Sequence, residues 1–584
     1  MLNKKWQLLT PPSWENVKNL ASALNVSDII AQLLIQRDIK DIKQCQSFLK
    51  SDLNNLVEPQ LIPNMTEAIR RIEQALHNNE KILIFGDYDV DGITSVVLLK
   101  RFFRLLGREV DFYIPHRLSE GYGLSEEAIT RIAQKGINLI ITVDCGISNL
   151  REIDLAKKLG MDIIVTDHHE IPPQLPDCIV VNPKLSKMPE IIDSYFLSGV
   201  GIAFKVCWAL MNSFSRGKKN SRPFHDFLMD AMSLVALGTI ADVAPLIGEN
   251  RILCSYGLEA LRYTKIDGLN ALIKQTGLSG NPLKTEDIAF RLGPRLNAAG
   301  RMGDSYISAE LLLSESPSEI DRIVKQLEQN NAERQKVESK IQKEIQKELR
   351  DNYDFKNNFV IVLSSDKWHT GVLGIVAARI ADEFFRPTIL ISTENTVGKG
   401  SGRSIPNFHL YEALLNCQNL IVSFGGHKYA AGLQIETSRI DDFRIQLNDF
   451  AKKNLKSEDF LPTVEIDSNI ELPKITHKLV QEMKKLAPFG ESNPEPVFCS
   501  HNLQLIGVPK LMGKNLSHLS FFAKQDNKTF RVVAFSKGAH INVFDKLKDA
   551  PFSMAYTIQL NSWNGEENIE LELVDLKTLD QKQL

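Results

Sequence analysis

The densest chemistry in the chain is Asp87-Tyr88-Asp89-Val90-Asp91-Gly92, three carboxylates within five residues directly after the apolar run Lys81 to Phe85. Ionised together they repel one another and raise each other's pKa values unless a cation compensates. Two further acids also follow apolar runs. Asp144 ends Asn138 to Val143, and Asp167, followed by His168 and His169, ends Asp162 to Thr166. Asp242 lies among apolar residues between Gly238 and Pro245, where an unpartnered carboxylate is costly. Four or more Asp with one or two His make a hard, oxygen-rich set that suits Mg²⁺ or Mn²⁺, the imidazole favouring Mn²⁺. Two such ions about 3.5–4 Å apart, sharing a carboxylate, can activate a water for attack on a phosphodiester. The first six positions also fit an EF-hand loop, but its twelfth position is Leu98 instead of Glu, and a strand precedes it. Zinc is disfavoured by the lack of CxxC and HExxH.

A second set suits phosphate. Gly400-Ser401-Gly402-Arg403-Ser404 offers backbone N–H groups, hydroxyls and a guanidinium in what reads as a loop. Gly425-Gly426-His427 is a second small-residue turn, and Trp368-His369-Thr370-Gly371 precedes a helix containing Arg379. Gly293 to Arg301 reads as a Gly-rich loop bringing Arg295, Asn297 and Arg301. Arg117 sits in the loop YIPHRLSEGYG, where a structural ion pair is the rival reading. No P-loop and no complete GxGxxG occurs, so nucleotide-driven work is not indicated.

The elements that must position these residues alternate. Strands are expected at 81–85, 110–114, 138–143 and 162–166, with helices from Thr94 to about Leu106 and from Ser125 to about Gln134. Continuous apolar strands alternating with helices imply a parallel sheet covered on both faces. Ligands of such sheets bind beyond the carboxyl ends of the strands, where Asp89, Asp91, Asp144 and His168 all fall. Ala231 to Ala244 reads as a buried helix entering a loop, and Ser318 to about Arg350 as a long helix with one apolar stripe. Strands at 359–363 and 388–392 flank a helix at 374–384. Beyond Leu461 half-buried period-2 patterns, with Asn564-Gly565 as a hairpin signal, indicate a small antiparallel β domain.

The chain has 584 residues, 43% hydrophobic and 24% charged, which fits two to four globular domains and excludes a mainly disordered chain. A net charge of −3 gives no global pull on polyanions, so a nucleic acid would need a local basic stripe or a metal. Seven widely spaced cysteines argue against a disulfide scaffold and for a reducing compartment. No run of about 18 apolar residues occurs, and the first residues lack a signal-peptide pattern. A cytoplasmic location with no membrane association is expected.

DYDVDG, Asp144, Asp167-His168-His169 and GTIADVAPL stand in the order of the four motifs of the DHH phosphoesterase superfamily, which the chain resembles over about residues 60–580. WHTGVLGIVAAR, GSGRS and GGHKYAAG look like the DHH-associated domain. GPRLNAAGRMG, the length and the terminal β region are similar to the superfamily's bacterial single-strand-specific 5′→3′ DNA exonucleases. The resemblance implies an α/β fold: an N-terminal helical segment (1–60), a parallel-sheet DHH domain (61–315), a connecting helix (316–352), a second α/β, DHH-associated domain (353–460), and an OB-like β-barrel (461–584). It implies Asp87, Asp89, Asp91, Asp144, His168 and Asp242 as ligands of two Mn²⁺ or Mg²⁺ ions, with Asp144 as the bridge. His169, beside Asp167, would contact the scissile phosphate. Arg117, Arg295, Asn297, Arg301, Arg379, Ser401, Gly402, Arg403 and His427 are the expected substrate contacts. Phe521, Phe522, Phe530 and Trp563 are aromatic residues available in the β domain, where most Phe would be core. Single-stranded DNA is the implied substrate and 5′-mononucleotides the products. Recombination and repair are the implied setting, with a single-strand-binding protein and a helicase as partners. The alternatives are a phosphodiesterase of short oligonucleotides or cyclic dinucleotides, and a catalytically silent single-strand-binding scaffold.

Overall fold

The computed structural model describes residues 4–117, 119–214, 222–394, 396–547, 550–563 and 566–578. They form two compact units. One holds residues 52–455 with 490–492, and the other holds 1–51, 456–489 and 493–584.

The larger unit begins with a five-stranded, wholly parallel sheet. Its strands are β1 (Ile82–Gly86), β2 (Asp111–Tyr113), β3 (Leu139–Val143), β4 (Asp162–Thr166) and β5 (Ile179–Val181), in the order β2-β1-β3-β4-β5. β1 and β3 are buried at every position, as continuous apolar strands require when helices cover both faces. One face packs on α1 (Val90–Leu105) and α2 (Gly199–Phe214), and α3 (Arg222–Ala241) packs on those two helices. α3 is long and apolar enough to span a bilayer by length and composition, yet 56% of its apolar window is buried inside this fold.

Two segments expected as loops are regular. Gly293 to Arg301 lies in a helix, α4 (Gly293–Met302), entered through a turn of π-helix at Ile288–Leu292. Pro294 stands in its first turn, where a missing N–H costs nothing. The 35-residue helix α5 (Pro317–Asp351) follows and buries Ile320, Ile323, Val324, Leu327, Ile341, Ile345 and Leu349 along one stripe. Gly400 to Arg403 lies in a strand. The second sheet has β6 (Ile361–Ser365), β7 (Thr388–Ser392), β8 (Val397–Arg403), β9 (Ser423–Gly426) and β10 (Ala430–Glu436), in the order β9-β10-β8-β7-β6. Only β6–β7 is parallel. α6 (Leu373–Phe384) crosses between β6 and β7. Along β8, Gly398, Gly400 and Gly402 alternate onto a face crowded by Ile391, Leu433 and Leu410. Ser401 and Arg403 therefore fall on the opposite face.

The other unit is built on a closed five-stranded barrel: β11 (Phe498–Met512), β12 (His518–Gln525), β13 (Lys528–Ala534), β14 (Phe552–Trp563) and β15 (Glu566–Thr578). The order is β11-β12-β13-β15-β14, closed by β14–β11, and β13–β15 is its parallel pair. This is OB topology. The Asn564-Gly565 turn lies outside the described residues. Phe521 and Phe530 are core, while Phe522 is 48% exposed. The side chain of Trp563 also lies outside the description. The first 51 residues join this barrel: Lys5–Leu8 pairs in parallel with Thr463–Ile466, and Val17, Leu20, Ile30 and Leu34 share one core with Phe498, Phe521 and Phe552.

Candidate metal centre and phosphate pocket

The carboxyl ends of β1, β3 and β4 lie side by side, so the acids that follow them converge. Helix α1 starts at Val90, four residues earlier than the apolar pattern indicates. Asp89 is its N-cap, accepting from the N–H groups of Asp91 and Gly92 at 3.0 and 3.1 Å. Asp91 is fully buried in the first turn and accepts from the Gly199 and Val200 N–H groups at 2.7 and 2.9 Å, at the start of α2. A Cβ on Gly199 would stand 2.6 Å from the Cβ of Asp144, so only glycine lets α2 approach this closely. Asp144 itself has φ +62°.

Three groups gather ligand atoms within 4.8 Å of one another: Asp144, His168 and His169; Asp91, His168 and Asp242; and Asp87, Asp89 and Asp144. Asp144 and His168 each belong to two. Burial raises the carboxyls of Asp87, Asp144 and Asp242 well above the usual range, and neighbouring carboxylates add to it. The same causes, burial first, bring Asp91 to about 7. Burial, with the nearby charge of His169, lowers His168 to about 3, so its imidazole is neutral and offers a lone pair. Asp87 Oδ1, Asp144 Oδ1 and His168 Nε2 are buried without a hydrogen-bond partner. Orphaned acceptors on crowded carboxylates are the donor set a hard divalent cation satisfies, so the residues fit Mn²⁺ or Mg²⁺.

Asp167 behaves differently. Its Oδ1 accepts from the backbone N–H groups of His168 (2.8 Å) and His169 (3.1 Å) and lies 2.7 Å from His169 Nδ1, while Oδ2 accepts from Ile147 N–H at 3.0 Å. Burial opposes its ionisation, but these bonds and the histidine charge hold its carboxyl below the usual value. Burial likewise opposes a charged His169, and the bond to Asp167 outweighs it and raises the imidazole. The neighbouring histidines thus divide: His168 faces the carboxylates, and His169 is held by Asp167.

Beside this cluster lies a group of cations. The Arg117 guanidinium stacks over the Tyr88 ring at 4.7 Å. Burial lowers Arg301 to about 9, and the charges of Arg117, Arg334 and Arg403 contribute. Burial and then Arg117 lower Arg403; burial, Arg403 and His409 lower His427. These charges lie close enough together to act on one another. A Cβ on Gly374 would stand 3.0 Å from Ser401 Oγ and 3.1 Å from Arg403 Nη2, so the first turn of α6 meets the Ser401–Arg403 face of β8. Gly402 is buried on the far face, and its carbonyl accepts from Arg403 Nη1 at 2.8 Å. Arg301 Nη1 donates to Gly371 O at 3.2 Å. Asn297 Oδ1 is buried and lacks a hydrogen-bond partner.

Two expected substrate contacts are engaged elsewhere. Arg295 clasps Glu328 of α5 at 2.5 and 3.4 Å and donates to Arg291 O. Arg379 lies 3.0 Å from Glu338 of α5. Tyr122 escaped the sequence reading although it reaches the cluster; two flanking glycines were its signal.

The fold and this cluster define a protein of the DHH class. The DHH family N-terminal domain model matches residues 81–239, the DHHA1 domain model 357–453 and the RecJ OB domain model 466–575. The chain is 37% identical to the single-stranded-DNA-specific exonuclease RecJ of Bacillus subtilis, over 98% of this chain and 70% of that protein. Crystal structures of RecJ from Thermus thermophilus superpose with TM-scores of 0.82 (Mn²⁺ complex) and 0.75 (Mg²⁺ complex). Their identities are 30% and 29%, over 98% of this chain and 79% and 78% of theirs. The chain belongs to the RecJ family.

Proposed function

We propose that the protein is a divalent-metal-dependent exonuclease of single-stranded DNA that works 5′→3′ and releases 5′-mononucleotides. The observation that carries this reading is the buried, unpartnered pair His168 Nε2 and Asp144 Oδ1 among four further carboxylates, Asp87, Asp89, Asp91 and Asp242, next to a group of arginines. Asp87, Asp89, Asp91, Asp144, His168 and Asp242 would hold Mn²⁺ or Mg²⁺, with Asp144 shared. When bound, the metal supplies Lewis-acid charge at the phosphodiester and a more acidic water.

The chain's own groups account for the rest. Water adds to phosphorus, the P–O3′ bond breaks, and the departing 3′ oxygen takes a proton. The shortened strand keeps a new 5′-phosphate. Asp167 raises His169 and orients it through Nδ1, which would leave Nε2 to donate to an oxygen of the scissile phosphate as negative charge grows there. Arg403 and Ser401, with Arg301, Arg117 and His427 nearby, would hold the terminal 5′-phosphate. Arg117 and Arg301 border Tyr88 of the first acidic motif, so these cations and the carboxylates adjoin. Asn297, whose buried Oδ1 has no hydrogen-bond partner, would contact the substrate, and Gly402 would orient Arg403 through its carbonyl. Arg295 and Arg379 would serve it through the position of α5, not by contact. The barrel would bind single-stranded DNA, in keeping with OB folds generally.

The family likeness extends the proposal to a single-strand-binding protein and a helicase as partners in recombination and repair. A cytoplasmic location is supported by seven cysteines that form no disulfide. The test is a comparison of long single strands with dinucleotides and cyclic dinucleotides as substrates in Mn²⁺. Preference for the long strand supports the exonuclease. Turnover of the small substrates alone makes the protein a phosphodiesterase, and tight strand binding without cleavage makes it a scaffold.

A further inference from the structure

The loop before the helix Glu126–Gln134 is fixed at both ends. Glu120 accepts from Tyr113 Oη at 2.6 Å and from Arg131 Nη2 at 3.1 Å. Asn149 accepts from Leu124 N–H at 3.3 Å and donates to Leu124 O at 3.1 Å. Between these anchors Gly121 and Gly123 take φ of +84° and +77°, conformations that glycine adopts without steric cost. They present Tyr122, which is 48% exposed although its hydroxyl reaches inward. That hydroxyl donates to the main-chain oxygen of Asp144 at 3.1 Å and lies 3.2 Å from His169 Nδ1. The two rings meet edge-on, centroids 5.5 Å apart at 64°.

Each contact has a consequence. Asp144 holds a left-handed backbone conformation, uncommon for a residue with a side chain although Asp tolerates it better than most. The turn is tied on the inside by Thr142 Oγ1, which donates to Cys145 O at 2.7 Å, and by the Asp144 N–H, which donates to Thr166 O at 3.1 Å. Tyr122 ties the carbonyl from the outside. Its ring also stands against the half-exposed imidazole of His169, whose other restraint is Asp167. One side chain thus restrains both the carboxylate shared by two candidate clusters and the histidine beside it.

We propose that Tyr122 is a positioning residue: its hydroxyl and ring lock the Asp144 turn and the His169 imidazole into the one arrangement that works. The inference rests on the nuclease reading, because it names the reaction that the positioning serves.

The test uses the full chain with Tyr122→Phe, which removes one oxygen from a half-exposed side chain. Two quantities are read: kcat and KM on a 5′-phosphorylated single strand at saturating Mn²⁺, and the Mn²⁺ concentration giving half of the thermal shift of the metal-free protein. The expected result is a fall in kcat of about tenfold, the scale of one lost hydrogen bond, with KM unchanged. The Mn²⁺ midpoint should rise. Tyr122→Leu, which also removes the ring, should lower kcat further. In a His169→Ala background, Tyr122→Phe should lower kcat by less than it does in the wild type, the bond to Asp144 alone remaining to be lost, because residues acting as a unit are not additive. An unchanged kcat and Mn²⁺ midpoint in Tyr122→Phe would overturn the proposal. So would a rise in KM alone, which would make the hydroxyl a substrate contact, or an undiminished effect without His169. If the wild type shows no Mn²⁺-dependent cleavage, the nuclease reading fails, while the Mn²⁺ midpoint still reports whether Tyr122 positions Asp144.

Discussion

His168 Nε2 and Asp144 Oδ1 lie 3.0 Å apart, and no hydrogen bond joins them. Burial keeps the imidazole neutral down to about pH 3. Two lone-pair donors therefore face each other across a gap, an arrangement that costs free energy unless a cation stands between the ligands. Asp91 and Asp242, each 3.9 Å from the same nitrogen, extend the conflict.

Asp144→Asn should therefore do two opposite things. It should lower Mn²⁺-dependent cleavage by more than about 100-fold, since even outer-shell changes at metal sites cost up to that much. It should also leave the metal-free protein as stable as the wild type, or more so, at pH 8, because it removes a carboxyl whose ionisation burial and the neighbouring carboxylates oppose. Activity and thermal unfolding without metal check the two halves. A destabilised metal-free variant would mean that Asp144 serves the fold first.

The pH dependence follows from the raised carboxyls. Asp91 titrates near 7 in the metal-free fold and near 3.8 when unfolded. Between these values the folded state holds a proton that the unfolded chain has lost, so raising the pH from 5 to 8 should lower the stability of the metal-free protein. A metal must displace that proton at pH 5.5 and finds it gone at pH 8, so the Mn²⁺-induced thermal shift should grow over this range. A shift that shrinks with pH would contradict the ligand assignment.

His169→Ala separates chemistry from metal binding. The imidazole is held by Asp167 and in the proposed reaction would donate through its other nitrogen, so its loss should lower kcat by about 100-fold or more while the Mn²⁺ thermal shift persists. Loss of that shift would make His169 a ligand.

Arg403→Ala and Arg295→Ala should part company. Arg403 faces Ser401 in the group of cations, so its loss should raise KM for a 5′-phosphorylated strand and largely erase its advantage over a 5′-hydroxyl strand. Arg295 is clasped by Glu328, so its loss should lower the melting temperature and spare that discrimination. Gly374→Ala, which would crowd Ser401 and Arg403, should mimic Arg403→Ala. If KM for the phosphorylated strand is unmoved in Arg403→Ala, these cations hold something else.

The sheet edge was legible because buried parallel strands are continuous apolar runs, and the residues that end them are those beyond the carboxyl ends. The dual role of Asp89 was hidden: DVDG reads as a turn before the helix, yet it is the cap and first turn. GSGRS read as a loop because its glycines suggest flexibility, whereas their period of two marks a strand packed against Ile391 and Leu433. Gly293 to Arg301 misled similarly, since Pro294 and the flanking glycines are compatible with a helix start. Pairings across sequence, such as Arg295 with Glu328 or Val17 with the barrel core, have no local signature. Tyr122 was marked only by its two glycines.

The most direct measurement is a time course on single-stranded DNA in Mn²⁺, labelled at the 5′ end in one reaction and at the 3′ end in another, with duplex and EDTA controls. The expected result is immediate release of 5′-labelled mononucleotide, stepwise shortening of the 3′-labelled strand, and no cleavage of duplex or in EDTA. Release of 3′-labelled mononucleotide first, or cleavage that persists in EDTA, would contradict the assignment.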